Sequence, residues 1–311
     1  MTEKVVINEV GPRDGLQNQP RVLAPEQRLQ LIRALVKAGL PAIEVGSFVS
    51  PRAVPAMAGT DAVIAGLPRD DIYYSALVPN QKGYELAKTS GIKAIGSVIA
   101  ASNTFNEKNI RMSSAQALAV VLDLIVQSRR DGIDSLVYLS TAWECPYEGP
   151  IESRGVMALA EQVFAAGATE VIIADTIGAA DPAATAALMT TLVCEFGAAR
   201  LTCHFHDTRG MALANVYAAL QCGIRKFDAS IAGLGGCPFA PGASGNVATE
   251  DVALLLQQMG FATGIDLARL VEAAELALEL TGATGGGHSL RWLQRQREQG
   301  RLRSDKMPPS I

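Results

Sequence analysis

The chain has 311 residues, 49% of them hydrophobic and 19% charged, and 27 Lys+Arg against 31 Asp+Glu leave a formal charge of −4. That balance supports a large core and excludes both a disordered chain and a protein that binds nucleic acid through bulk positive charge. No segment reaches the roughly 18 uninterrupted apolar residues of a membrane helix, and the opening MTEKVVINEVGPRDG reads as neither a signal nor a transit peptide.

In chain order, short apolar, β-branched runs predict strands at 5–10, 42–45, 72–78, 94–99, 135–140, 170–174, 201–204 and 227–231, each continuous enough to be buried on both faces. Amphipathic helical patterns lie between them at 25–38, 114–130, 154–166, 182–196 and 210–222, several closed by glycine, as at Gly39, Gly167 and Gly223. Eight strands alternating with helices predict an α/β fold of the (β/α)8, or TIM-barrel, type. An open doubly wound sheet is the runner-up, but the turn after its first strand would carry a glycine-rich dinucleotide fingerprint, and here that turn reads GPRDGLQ.

The barrel accounts for the chain to about residue 260, and helices at 267–280 and 289–299 form a C-terminal extension of the same single domain. A glycine-rich stretch at 282–287 predicts a flexible break. The basic run after it (Arg291, Arg295, Arg297, Arg301, Arg303) is read first as a solvated helix face and second as an anion site or subunit contact, with a homodimer expected. Five scattered cysteines (Cys145, Cys194, Cys203, Cys222, Cys237) without a CxxC pair predict reduced thiols and a cytoplasmic protein.

In such a barrel the chemistry gathers at the C-terminal ends of the strands. His204 and His206 flank Phe205, and strand alternation sends both imidazoles to one face, where they hold a divalent metal or form a hydrogen-bonded structural pair. Asp14 and Asn246, at two other strand ends, favour the metal, because a mixed nitrogen and oxygen set suits Mg2+ or Mn2+ and a closed zinc site would use thiolates. Arg13 reads as a clamp for a carbonyl or enolate oxygen, and Glu44, a charge at the end of an apolar strand, as its partner. Cys237, in GLGGCPFAPGASGN, reads as a thiol on a mobile lid.

At these residues the sequence resembles the 3-hydroxy-3-methylglutaryl-CoA lyases, within the metal-dependent barrel lyases and Claisen-type synthases. The matching stretches are GPRDGLQN (11–18), IEVGSFVSPR (43–52), CPYEG (145–149), ADTIG (174–178), CHFHDTRGMALAN (203–215) and AGLGGCPFAPGASGNVATED (232–251). The resemblance implies a divalent cation, Mg2+ or Mn2+, among Asp14, His204, His206 and Asn246, and an acyl-CoA substrate. It implies Arg13 on the thioester carbonyl, Glu44 beside it, Asp14 or His206 as base and Cys237 as catalytic thiol, with Gln17, Asp175, Thr176 and Glu250 supporting the site. The implied activity is retro-Claisen cleavage of a 3-hydroxy-3-substituted acyl-CoA, with methylglutaryl the leading acyl group; a condensing synthase and a non-catalytic CoA-ester-binding barrel are the competing readings. Ile172, Ile173 and Ala174, Trp143 and Glu144, and Ala53 depart from the family pattern, and all are expected on the substrate side.

Overall fold

The computed structural model describes residues 2–68, 71–236 and 245–302. Eight parallel strands close into a barrel: β1 (Val6–Glu9), β2 (Ala42–Ser47), β3 (Tyr73–Leu77), β4 (Ala94–Ala100), β5 (Asp134–Ser140), β6 (Glu170–Asp175), β7 (Leu201–Phe205) and β8 (Lys226–Ala229). Each pairs with its neighbours in sequence, and β8 returns to β1 with Val6 opposite Lys226 and Asn8 opposite Asp228. This is the expected (β/α)8 architecture.

Several helices begin where a side chain satisfies their first amides. The first helices, α1 (Pro25–Lys37), α2 (Thr60–Ala65), α3 (Gln81–Ser90) and α4 (Asn103–Ile110), follow β1 to β4. In α5 (Ser114–Asp131), Ser113 and Gln116 form a reciprocal capping box. The next, α6 (Ser153–Ala166), ends at Gly167 in the left-handed region. Asp181 opens α7 (Pro182–Phe196) by accepting from Ala183 N at 2.8 Å and Ala184 N at 2.9 Å. The set closes with α8 (Ala212–Gln221), α9 (Thr249–Gln258), α10 (Leu267–Thr281) and α11 (Leu290–Glu298).

Alternation along the strands sorts their side chains into two layers. Ile7, Ile43, Ile95, Val137, Val171, Cys203 and Phe227 face the helices and are fully buried in one continuous apolar core. The opposite set, in register through Asn8, Asp228, His204 and Ala174, fills the barrel. At the N-terminal end of that interior Glu170 accepts from Thr202 and Lys226, and Tyr73 donates to Asp134 at 2.8 Å. Leu136, Tyr138 and Ile172 form an apolar layer, and the polar rim follows.

Some expectations are revised. A short antiparallel ribbon, Glu144–Cys145 with Gly149–Pro150, follows β5 and was not visible as a pattern because it is only two residues wide on each side. Trp143 packs on Phe205, with ring centroids 5.7 Å apart, on the side of β7 opposite His204 and His206. It therefore belongs to the outer layer and not to the substrate side. The end of the glycine-rich 282–287 stretch is docked against the start of α9, where Gly287 allows the close approach. Among the described residues no single helix is long and apolar enough to cross a membrane.

Candidate active site

The segment after β1 turns at once in a short π-helix, Gly11–Gly15, which delivers Arg13 and Asp14 over the barrel mouth. Arg13 Nε donates to Glu44 Oε2 at 2.5 Å and Nη1 to Asp14 Oδ1 at 2.5 Å, so one guanidinium bridges the ends of β1 and β2. All three residues are buried. Gln17 Nε2 adds a bond to Asp14 Oδ1 at 3.1 Å, and Asn246 Nδ2 reaches Asp14 Oδ2 at 2.8 Å and Leu234 O at 3.0 Å.

Strand β7 carries His204 inward, and His206 follows one residue beyond its end, with the two ring centroids 5.3 Å apart. His206 pairs with Asn246 in an isolated antiparallel bridge, which places that amide beside the imidazoles. Ligand atoms of Asp14, His204 and His206 lie within 4.8 Å of one another. Asn246 Oδ1 is buried and has no hydrogen-bond partner, while its amide nitrogen is fully used. A buried acceptor without a donor is costly, and a cation held beside the Asp/His/His cluster would satisfy it. The donor set fits a divalent ion that keeps positions open for oxygen ligands.

Asp228 was missed by the sequence reading. On β8 it points inward in register with His204, accepts from Asn8 Nδ2 at 2.8 Å and sits 3.0 Å from His204 Nδ1. A carboxylate bonded to Nδ1 fixes the ring and leaves Nε2 free to serve as a metal ligand. Tyr138 was missed as well: its ring stands edge-on to His204 and lies 5.8 Å from the Arg13 guanidinium carbon, and its hydroxyl, like Glu44 Oε1, is buried without a partner. Both residues sit singly in strand patterns and belong to no motif; the signal that finds them is inward register alone.

The electrostatics separate the carboxyls. Burial raises Asp14, but Arg13, the two imidazoles and the Asn246 amide outweigh it, and its pKa falls from 3.8 to about 2. For Glu44, burial prevails over Arg13 and the pKa rises to about 7. The Arg13 guanidinium, despite burial, is held firmly charged by Glu44 and Asp14.

The other expected residues anchor loops. Asp175 faces outward and accepts from Ala179 N at 2.8 Å and Ala180 N at 3.0 Å; burial pushes its pKa up to about 6. Thr176 Oγ1 accepts from Thr141 N at 2.8 Å. Glu250, fully buried, accepts from Ala232 N at 3.0 Å and Gly287 N at 2.9 Å. Cys237 lies outside the described residues, between the described Gly236 and Gly245. Cys145 is buried, 3.0 Å from Ser102 Oγ.

A family model described as HMGL-like matches residues 4–277. An (R)-citramalyl-CoA lyase of Chloroflexus aurantiacus is 44% identical over 88% of this chain and 90% of its own length. A hydroxymethylglutaryl-CoA lyase of Bacillus subtilis is 43% identical over 90% and 94%. The crystal structure of the hydroxymethylglutaryl-CoA lyase from Pseudomonas aeruginosa superposes with a TM-score of 0.91 at 42% identity, covering 95% of this chain and 99% of that one.

Proposed function

The chain belongs to the HMGL-like family, whose model spans residues 4–277, and on that premise we propose that it cleaves a 3-hydroxy-3-substituted acyl-CoA by a metal-dependent retro-Claisen reaction, with 3-hydroxy-3-methylglutaryl-CoA going to acetyl-CoA and acetoacetate. The observation that carries this reading is the rim itself, where one charged guanidinium, a cluster of side chains able to hold a metal ion and three buried polar atoms without partners (Glu44 Oε1, Asn246 Oδ1 and the Tyr138 hydroxyl) occupy one end of the barrel.

Asp14, His204, His206 and Asn246 would hold the cation. When bound, Mg2+ or Mn2+ supplies Lewis acidity that lowers the pKa of a hydroxyl and orients oxygen ligands. The substrate's tertiary hydroxyl proton passes to a base on the same rim, Asp14 or His206. Collapse of the alkoxide to a ketone then breaks the adjacent carbon–carbon bond and leaves the electron pair on the acetyl-CoA enolate. Arg13, fixed in place by Glu44 and Asp14, carries positive charge to the thioester oxygen where that negative charge develops, and needs no reorganisation to do so. Tyr138 offers its hydroxyl to the same region. Cys237 returns a proton to the enolate carbon.

A second acyl group is favoured by one relative, the (R)-citramalyl-CoA lyase that is 44% identical to this chain. Such a substrate, with its carboxylate directly on the carbinol carbon, yields acetyl-CoA and pyruvate. The test is metal-depleted enzyme given each thioester with and without Mg2+ or Mn2+, with products followed by mass spectrometry. Metal-dependent acetyl-CoA release with acetoacetate supports the first reading and release with pyruvate the second; a folded, metal-loaded protein that releases neither refutes the proposal.

A further inference from the structure

The segment after α10 is fastened to the rim beside the two metal-ligand positions. Gly287 N donates to Glu250 Oε1 at 2.9 Å, His288 N to Asp251 Oδ2 at 2.7 Å, and Ser289 N and Oγ to Asp251 Oδ1 at 2.7 and 2.5 Å. Glu250 and Asp251 open α9, a few residues beyond Asn246. His288 also extends its ring in the other direction, with Nε2 2.8 Å from Asp207 Oδ2, and Asp207 directly follows His206.

His288 thus ties together the two chain segments that carry His206 and Asn246. Those segments are already joined by a short bridge: His206 pairs with Asn246, Asp207 N donates to Gly245 O at 3.0 Å and Val247 N to Phe205 O at 3.0 Å. The remaining oxygen of Asp207 accepts from Ala212 N at 3.0 Å, at the start of α8, so its carboxylate is shared between that helix and His288. The approach is a fitted one. A Cβ on Gly287 would stand 2.7 Å from the Ala248 Cβ and 2.8 Å from Glu250 Oε1, and only glycine allows the strap to lie so close.

We propose that His288 is a positioning residue for the metal site: by holding Asp207 it fixes the bridge on which His206 and Asn246 face each other. The proposal rests on the reading of the Asp14, His204, His206 and Asn246 cluster as a metal site. The His288 side chain is 75% exposed, so its pair with Asp207 adds little to global stability, whereas direct partners of ligating groups change metal affinity about 10- to 100-fold and His288, acting one residue further out through Asp207, is expected at the lower end of that range. The two effects are therefore separable by measurement.

The experiment titrates metal-depleted full-length protein with Mn2+ alone and follows free Mn2+ by electron paramagnetic resonance. His288→Ala is expected to weaken Mn2+ binding about 10-fold while the melting temperature of the metal-free protein stays within about 2 °C of wild type. His288→Gln, which keeps an N–H donor, is expected to recover most of the affinity. Arg297→Ala, which breaks the Arg297–Glu275 pair between α11 and α10, serves as control and is expected to bind Mn2+ as wild type does. Equal affinity in folded His288→Ala overturns the proposal, as does an equal loss in Arg297→Ala. If wild type binds no Mn2+, the metal-site reading has failed first and this inference falls with it.

Discussion

At the scale of single residues, the site keeps polar atoms that the folded chain does not need. The Tyr138 hydroxyl is buried without a partner, and burial beside Asp228 and Glu44 raises its pKa well above the ordinary tyrosine value, so it remains a neutral donor. Leaving a buried hydroxyl unpaired costs about 1–3 kcal/mol. Tyr138→Phe is therefore expected to stabilise the substrate-free protein by on the order of 1 kcal/mol and to lower kcat roughly 10- to 100-fold, the worth of one hydrogen bond to a charged group. Urea unfolding and steady-state kinetics read the two quantities, and an unchanged kcat would remove Tyr138 from the chemistry. The residues visible in the sequence were those with company: His204 and His206 by alternation, Arg13 and Asp14 by adjacency, Asn246 within its glycine-rich stretch. Asp228 and Tyr138 lie singly in short strands that carry no motif, and their roles come from register, which sets Asp228 of β8 opposite His204 of β7 and brings Tyr138 to the His204 edge.

At the scale of elements, the loop that leaves β8 is rooted by two buried carboxyls. Glu9 accepts from Gly11 N at 2.7 Å, Ile231 N at 2.8 Å and Thr249 Oγ1 at 2.6 Å, and Glu250 takes the next amide, Ala232 N, whose residue has φ 55°. Burial raises Glu9 from 4.5 to about 7 in spite of these donors, and Glu250 to about 7 likewise. The native state therefore keeps a proton that the unfolded chain has already lost. The contribution is full below the unfolded pKa of 4.5 and disappears as pH rises through about 7, so stability falls over that window, by on the order of 3 kcal/mol for one such carboxyl. Asp175, raised to about 6, acts in the same sense. Melting temperature is expected to drop from pH 5 to pH 8 and to drop less steeply in Glu9→Gln; identical slopes in the two proteins would show that Glu9 does not titrate there. Strand positions were legible because parallel strands buried on both faces read as apolar runs, as at 94–99 against the observed Ala94–Ala100. The docking of Gly287 at the end of the 282–287 stretch was not, because three consecutive glycines signal conformational freedom and Gly287 carries no side chain to name the surface it approaches.

At the scale of the whole molecule, the fold and the candidate metal site are expected to be separable. The barrel closes through strand pairing around its full circumference, and its outer face packs against the helices in one apolar core. The interior is plugged below the rim by Leu136, Tyr138 and Ile172, with Glu170, Lys226 and Thr202 beneath. At the rim, Asp14 accepts hydrogen bonds from Arg13, Gln17 and Asn246. Strand pairing and the apolar core use none of the ligand atoms of the Asp14, His204, His206 and Asn246 cluster, so a chelator is expected to abolish turnover while leaving the far-ultraviolet circular dichroism spectrum unchanged. A ligand that binds only the native state stabilises it by about 2.7 kcal/mol when present at 100 times its Kd, which for a chain of this size is a shift of roughly 5 °C. Adding Mg2+ or Mn2+ back should restore that increment together with activity, over the same concentration range, because both report occupancy of one site. Loss of helical signal on chelation would mean that the cation closes the barrel, and recovery of stability at metal concentrations that leave turnover at zero would place the stabilising ion somewhere other than Asp14, His204, His206 and Asn246.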